Sequence, residues 1–192
     1  MRFVLLLLLA AAPAFPQKLL WGVKAGVPVT DLVKSEAWKN GRYYPSSGRY
    51  TLGPTIELTL PFRLSIEFDV LYRSAKYRFV NTVSGAGSEA SGNAFQFPLL
   101  LKVRLSRRSV APYVAGGVTF NRLTGLKQLG ELDKATVGGL VAGAGLEGRL
   151  PLVRISPEIR YTRWGSVNLR NLGGGFNLSN QNQIEALVGI TF

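Results

Sequence analysis

The chain has 192 residues, 46% of them hydrophobic, with 22 glycines and a formal charge of +12. That length holds one domain of ordinary size. Cysteine and histidine are both absent, which excludes disulfide cross-links and removes the commonest metal ligand and the usual general base.

Met1-Arg2, the apolar run Phe3 to Ala12 and the small-residue site Ala12-Pro13-Ala14 form a secretory signal peptide. It is assigned to residues 1–14, with Gln17 as the far limit of cleavage. The run is too short to span a bilayer as a helix, which takes about 20 apolar residues. No cysteine follows it for lipoprotein anchoring, and no other segment is apolar enough for a transmembrane helix. A secreted basic chain seldom meets nucleic acid, so its natural partner is an anionic membrane surface.

From residue 18 to residue 192 the pattern has period two, the mark of strands with one apolar face. The first strand, Leu19 to Pro28, sets Trp21, Val23, Ala25 and Val27 opposite Lys24. The second, Tyr50 to Leu60, sets Leu52, Pro54, Ile56 and Leu58 opposite Thr51, Thr55, Glu57 and Thr59. The third aligns Phe62, Leu64, Ile66, Phe68, Val70 and Tyr72 against Arg63, Ser65, Glu67, Asp69, Leu71 and Arg73. In the fourth, Phe95, Phe97, Leu99, Leu101, Val103 and Leu105 oppose Gln96, Lys102 and Arg104. The fifth, Ala111 to Phe120, is apolar or small almost throughout, and its parity stays open. The sixth, Thr136 to Leu150, sets Leu140, Ala142, Ala144 and Leu146 opposite Gly143, Gly145, Glu147 and Arg149. The seventh sets Val153, Ile155, Pro157, Ile159 and Tyr161 against Arg154, Ser156, Glu158, Arg160 and Thr162. The eighth sets Ile184, Ala186, Val188, Ile190 and Phe192 against Glu185, Leu187, Gly189 and Thr191.

The connections alternate in length. Residues 29–49, 74–93, 121–135 and 165–182 are long, whereas Pro61, Ser106–Val110 and Pro151 turn the chain tightly. Short turns on one rim and long loops on the other are the pattern of transmembrane barrels, whose closed sheet pairs every backbone group inside the bilayer. Several strands reach the 9–11 residues that a tilted crossing requires. An eight-stranded antiparallel up-and-down transmembrane β-barrel over residues 18–192 is therefore expected.

Charge follows the faces. Glu57, Glu67, Asp69, Glu147, Glu158 and Glu185 share the less apolar side with Lys24, Arg63, Arg73, Lys102, Arg104, Arg149, Arg154 and Arg160. A narrow lumen lets these charges pair with one another, while an Arg or Lys facing mid-bilayer costs about 2–4 kcal/mol. Alternation alone also fits a secreted soluble barrel of the lipocalin kind. Aromatic residues near the strand ends favour a membrane: Tyr50, Tyr72, Phe95, Phe120, Tyr161 and Trp164 at the outer rim, Trp21, Phe62, Tyr113 and Phe192 at the other. Pro54, Pro98 and Pro157 fall inside strands, where proline cannot donate to the ladder, so bulges or register breaks are expected there.

The last strand, Asn182-Gln-Ile-Glu-Ala-Leu-Val-Gly-Ile-Thr-Phe192, resembles the terminal signature of bacterial outer-membrane proteins, with Ile184, Val188, Ile190 and Phe192 as its apolar positions. Pro112-Tyr-Val-Ala-Gly-Gly-Val118 looks like the small-residue strand of the same group. Residues 18–192 resemble the small outer-membrane barrels of the OmpA transmembrane-domain, OmpX and PorT-like type. The resemblance implies a Gram-negative outer membrane, and recognition of the last strand by the barrel assembly machinery.

Three motifs are weaker. Gly143-Ala-Gly-Leu-Glu-Gly148 fits a dinucleotide fingerprint, but that needs a strand-to-helix turn and here lies within a strand pattern. Relief of crowding in a curved wall accounts for it better. Glu67 and Asp69 are a carboxylate pair without an accessible cleft, better read as partners of Arg63, Arg73 or Lys102. Arg107-Arg108 reads as a solvated turn. The loops hold Lys34, Lys39, Arg42, Arg49, Lys76, Arg78, Arg122, Lys127, Lys134 and Arg170 among Trp38, Tyr43 and Tyr44. They are suited to lipopolysaccharide phosphates or an extracellular partner. The expected function is a structural or surface-binding barrel without catalysis, cofactor or metal. A small passive channel of the porin kind is the alternative.

Overall fold

The computed structural model describes residues 18–30, 37–38, 41–45, 50–81, 87–124, 136–165 and 180–192. The expected signal peptide and most of the long loops lie outside them. Among the described residues eleven strands follow one another: β1 (Lys18–Pro28), β2 (Ala37–Trp38), β3 (Gly41–Pro45), β4 (Thr51–Thr59), β5 (Leu64–Asp69), β6 (Leu71–Asn81), β7 (Gly87–Arg104), β8 (Val110–Thr124), β9 (Thr136–Arg149), β10 (Arg154–Trp164) and β11 (Asn182–Thr191). Among the described residues no helix is long and apolar enough to cross a membrane.

The sheet closes on itself. β1 pairs antiparallel with β4 on one side and with β11 on the other. Since β5 and β6 together make one stave, the result is an eight-stranded up-and-down barrel. Alternation then sorts the side chains. On β5 and β6, Ser65, Glu67, Asp69, Leu71 and Arg73 are buried inside, while Ile66 and Phe68 stand outside. The parity of β8 resolves with Ala111, Tyr113, Ala115, Thr119 and Asn121 inward and Val114, Val118 and Phe120 outward. The outer wall is apolar around the barrel, including Trp21, Leu99, Leu101, Leu140 and Ile159.

Pro54, Pro98 and Pro157 interrupt pairing without shifting it. β4 pairs with β5 at Thr55↔Asp69 and with β6 at Leu52↔Tyr72, the same register on both sides of Pro54. β7 likewise keeps one register with β5 (Phe68↔Leu99) and β6 (Leu71↔Gln96) across Pro98. β10 skips Ser156 and Pro157 in its ladder with β9 and resumes in register. The expected bulges and register breaks are absent at these positions. Each proline turns its missing N–H toward one neighbour and keeps an unbroken ladder with the other. At the first site Val70 N–H still donates to Pro54 O at 3.0 Å. Gly53 lets the backbones close in, since a Cβ there would meet Val70 O at 1.7 Å.

Phe62 and Arg63 depart from their expected strand positions. They form the turn Pro61–Arg63 between β4 and β5 with φ of 60° and 68°, the left-handed region, and Leu64 N–H donates back to Pro61 O. Side chains with a Cβ sit there at a cost of roughly 1–2 kcal/mol each. Phe62→Gly is expected to raise stability by about 0.5–1 kcal/mol, the strain relieved less the entropy glycine adds to the unfolded chain. A shift of the urea unfolding midpoint in detergent micelles checks it.

At the opposite end the sheet outgrows the barrel. β6 and β7 stay paired out to Val80↔Gly87, and β3 joins β6 from Gly41↔Asn81 to Pro45↔Tyr77. This hairpin, with β3 and β2 beside it, makes up much of the described long-loop end.

Candidate functional site

Among the described residues, ionisable groups gather most densely in the lumen. Inward positions of β1, β4, β5, β7, β9 and β10 bring residues far apart in sequence into contact because closure faces every stave toward one axis.

Two clusters form. In the middle, Arg160 donates through Nε to Glu158 at 2.7 Å, through Nη1 to Asp69 at 2.9 Å and through Nη2 to Glu67 at 3.1 Å. Lys24 donates to Glu67 and also reaches Asp69 and Glu158, each at 3.4 Å. Thr55 Oγ1 donates to Asp69 at 2.6 Å, and Tyr113 OH donates to Glu158 at 3.0 Å. Nearer the short turns, Arg104 Nε donates to Glu147 at 2.9 Å, Nη1 to Ser65 at 2.5 Å and Nη2 to Glu57. Lys102 donates to Glu57 at 3.0 Å, lies 3.3 Å from Glu147, and covers the ring of Tyr113 at 4.2 Å. Lys102 also lies 3.7 Å from Glu67, which joins the clusters. Buried ions of either sign are tolerable only when paired and hydrogen-bonded, and this arrangement meets that condition.

Other expected members sit at its edges. Arg149 Nε donates to Glu147 at 2.8 Å from a part-exposed position, and Arg154 approaches the same carboxylate at 3.8 Å. Above, Arg73 lies 3.9 Å from Glu185, which accepts from Thr51 Oγ1 at 3.1 Å. Arg63 is a correction: it is exposed in the turn and donates to Leu105 O at 3.1 Å. The tight turn consumes the residue that strand parity had sent inward.

Two aromatic residues are also corrected. Tyr113 and Trp164, expected at the rims, are 2% and 4% exposed inside the lumen. For Trp164 the parity of Arg154, Glu158 and Arg160 is decisive, since it shares their face. Trp21 and Phe192 do meet on the outer wall at 5.6 Å, as do Tyr72 and Phe95 at 5.4 Å near the long-loop end.

The glycines of the 143–148 motif thin the wall opposite Tyr113 and Glu158. A Cβ on Gly143 would lie 2.7 Å from Glu158 Oε1; on Gly145 it would lie 2.3 Å from Pro157 O and 2.7 Å from the Tyr113 hydroxyl. Gly145→Val is expected to destabilise the barrel by about 1–3 kcal/mol, because the backbone carbonyl cannot yield. Chemical unfolding followed by tryptophan fluorescence measures it.

Above the two clusters the lumen holds the Arg73–Glu185 pair among mostly neutral side chains. Gln96, Thr119, Asn121, Trp164 and Gln183 are buried there, each with a polar atom lacking a protein partner. Such groups take water as their partner. Among the described residues no group of three or more acidic side chains is placed to hold a metal. Ile184, Val188, Ile190 and Phe192 line the outer wall of the last strand.

The profile of the family described as outer membrane protein beta-barrel domain matches residues 3–192. No curated protein sequence matches. The fold is similar to the outer membrane protein OprG from Pseudomonas aeruginosa, at TM-score 0.56 and 12% identity over 91% of this chain and 92% of that one. It is also similar to Neisserial surface protein A, NspA, at TM-score 0.55 and 16% identity over 92% and 98%.

Proposed function

The chain belongs to the outer-membrane β-barrel family and resides in the bacterial outer membrane, and from that premise we propose that it is a non-catalytic barrel acting through its long-loop end. The observation that carries the reading is the ion-paired lumen. An eight-stranded interior is just wide enough to be filled by side chains, and here Arg160, Lys24, Lys102 and Arg104 cross it to reach carboxylates on other staves. Side chains that span the interior in this way narrow any route for a solute, which favours binding over conduction.

The described part of the long-loop end supports a surface role. The β3–β6–β7 sheet extends beyond the barrel, with Arg42 opposite Val80 and Tyr44 opposite Arg78. Lipopolysaccharide phosphates suit such basic residues, and the assembly machinery is the proposed reader of Ile184, Val188, Ile190 and Phe192. Planar-bilayer recording of the refolded protein tests the reading. The expected trace is a quiet membrane. Steady, large single-channel currents would establish the porin-like alternative instead.

A further inference from the structure

The short-turn end of the barrel carries charge of one sign. Among the described residues, Lys18, Arg63, Arg107 and Arg108 are exposed there, Arg149 and Arg154 lean toward buried Glu147, and no acidic side chain is exposed. Apolar side chains stand among these cations. Phe62 and Leu152, at the tips of two different turns, are 83% and 85% exposed.

The turns are joined into one arc. Arg63 donates from the β4–β5 turn to Leu105 O of the next turn at 3.1 Å, and Arg149 N–H donates to Ser109 O at 2.8 Å. Phe62 is presented by backbone in the left-handed region. Strain kept at an exposed aromatic position is a pointer to use.

We propose that this arc binds the phosphate headgroups of anionic phospholipids in the leaflet that meets this end of the barrel. Charge complementarity carries the argument, since basic segments at a membrane surface gather anionic lipid within a Debye length. Depth supports it: the turns are short, and Lys18 opposite Thr59 and Arg154 opposite Thr191 stand at the last rungs of their ladders, at the end that carries the outer-wall Trp21–Phe192 pair, which places their side chains near headgroup level. The mixture of basic and apolar tips also fits an interface better than a soluble acidic protein, because the interface takes both.

The test uses the full folded chain in detergent, titrated with phosphatidylglycerol or phosphatidylcholine of identical acyl chains and read by native mass spectrometry. Phosphatidylglycerol is expected to remain bound at about tenfold lower lipid concentration. The Arg63→Gln/Arg107→Gln/Arg108→Gln variant, checked for folding by heat-modifiable gel migration, is expected to lose that preference. In vesicles, Phe62→Trp is expected to add fluorescence that brominated phosphatidylglycerol chains quench beyond the level of the parent protein. Equal retention of the two lipids, a preference unchanged in the triple variant, or added fluorescence that brominated chains do not reach would overturn the proposal. So would sedimentation with peptidoglycan sacculi without any lipid preference.

Discussion

Arg160→Met lowers the folding stability of the barrel by about 3–5 kcal/mol, the usual cost of removing one partner from a buried ion pair. Three carboxylates depend on this guanidinium: Glu158, Asp69 and Glu67, all nearly inaccessible to solvent. Lys24 remains beside them, but a single ammonium at 3.4 Å from two of them does not replace three directed donors. The expected readout is a lowered urea midpoint with an unchanged slope, since the surface exposed on unfolding is the same. Adding Asp69→Asn to Arg160→Met restores part of the loss, because it removes one of the stranded charges. The two substitutions then couple by about 0.5–3 kcal/mol. Strict additivity would show that Arg160 and Asp69 do not interact.

Ile159→Arg, one residue away, carries nearly the same chemistry in the opposite direction. Ile159 is 65% exposed on the outer wall, where hydrocarbon surrounds it. A cation there costs about 2–4 kcal/mol near mid-bilayer. It is expected to lower the yield of heat-modifiable folded protein in vesicles while leaving the lumen ion pairs in place. The loss shrinks in thinner bilayers, where the new side chain reaches the headgroups. A variant as stable as the parent in thick and thin bilayers alike would sink this reading of the wall. Neighbouring positions thus impose opposite demands because the strand period is two.

Period two is also why so much of the architecture was legible in the sequence. Alternation alone places Glu67, Asp69, Glu158 and Arg160 on one inner surface. Which of them touch was not legible, because that depends on stave order and stagger: Lys24 meets Glu158 across the β1–β11–β10 side of the barrel. Alternation also fails where the chain leaves the strand. Arg63 lies in a left-handed turn that a Pro-Phe-Arg stretch does not announce. Tyr113 was hidden by a strand apolar on both faces, and its partner space was opened by Gly143 and Gly145 on the neighbouring stave. Pro54, Pro98 and Pro157 gave a true signal of lost donors. They leave the register intact, because a proline breaks pairing with one neighbour only.

The reach of Lys24 has a consequence for how the barrel is made. Its carboxylates come from β5 and from β10, the latter 134 residues along the chain, so the contacts are among the least local available and close late. Until β10 and β11 arrive, Lys24 and Asp69 face water or a chaperone rather than their full set of partners. Pairing of β11 with β1 closes the sheet and completes the set of partners around Lys24. A chain that stalls before that event keeps unmatched ions at its seam, and those ions resist transfer into lipid. A chain lacking β10 and β11 is therefore expected to fold into vesicles with lower yield than the full chain, read by heat-modifiable gel migration.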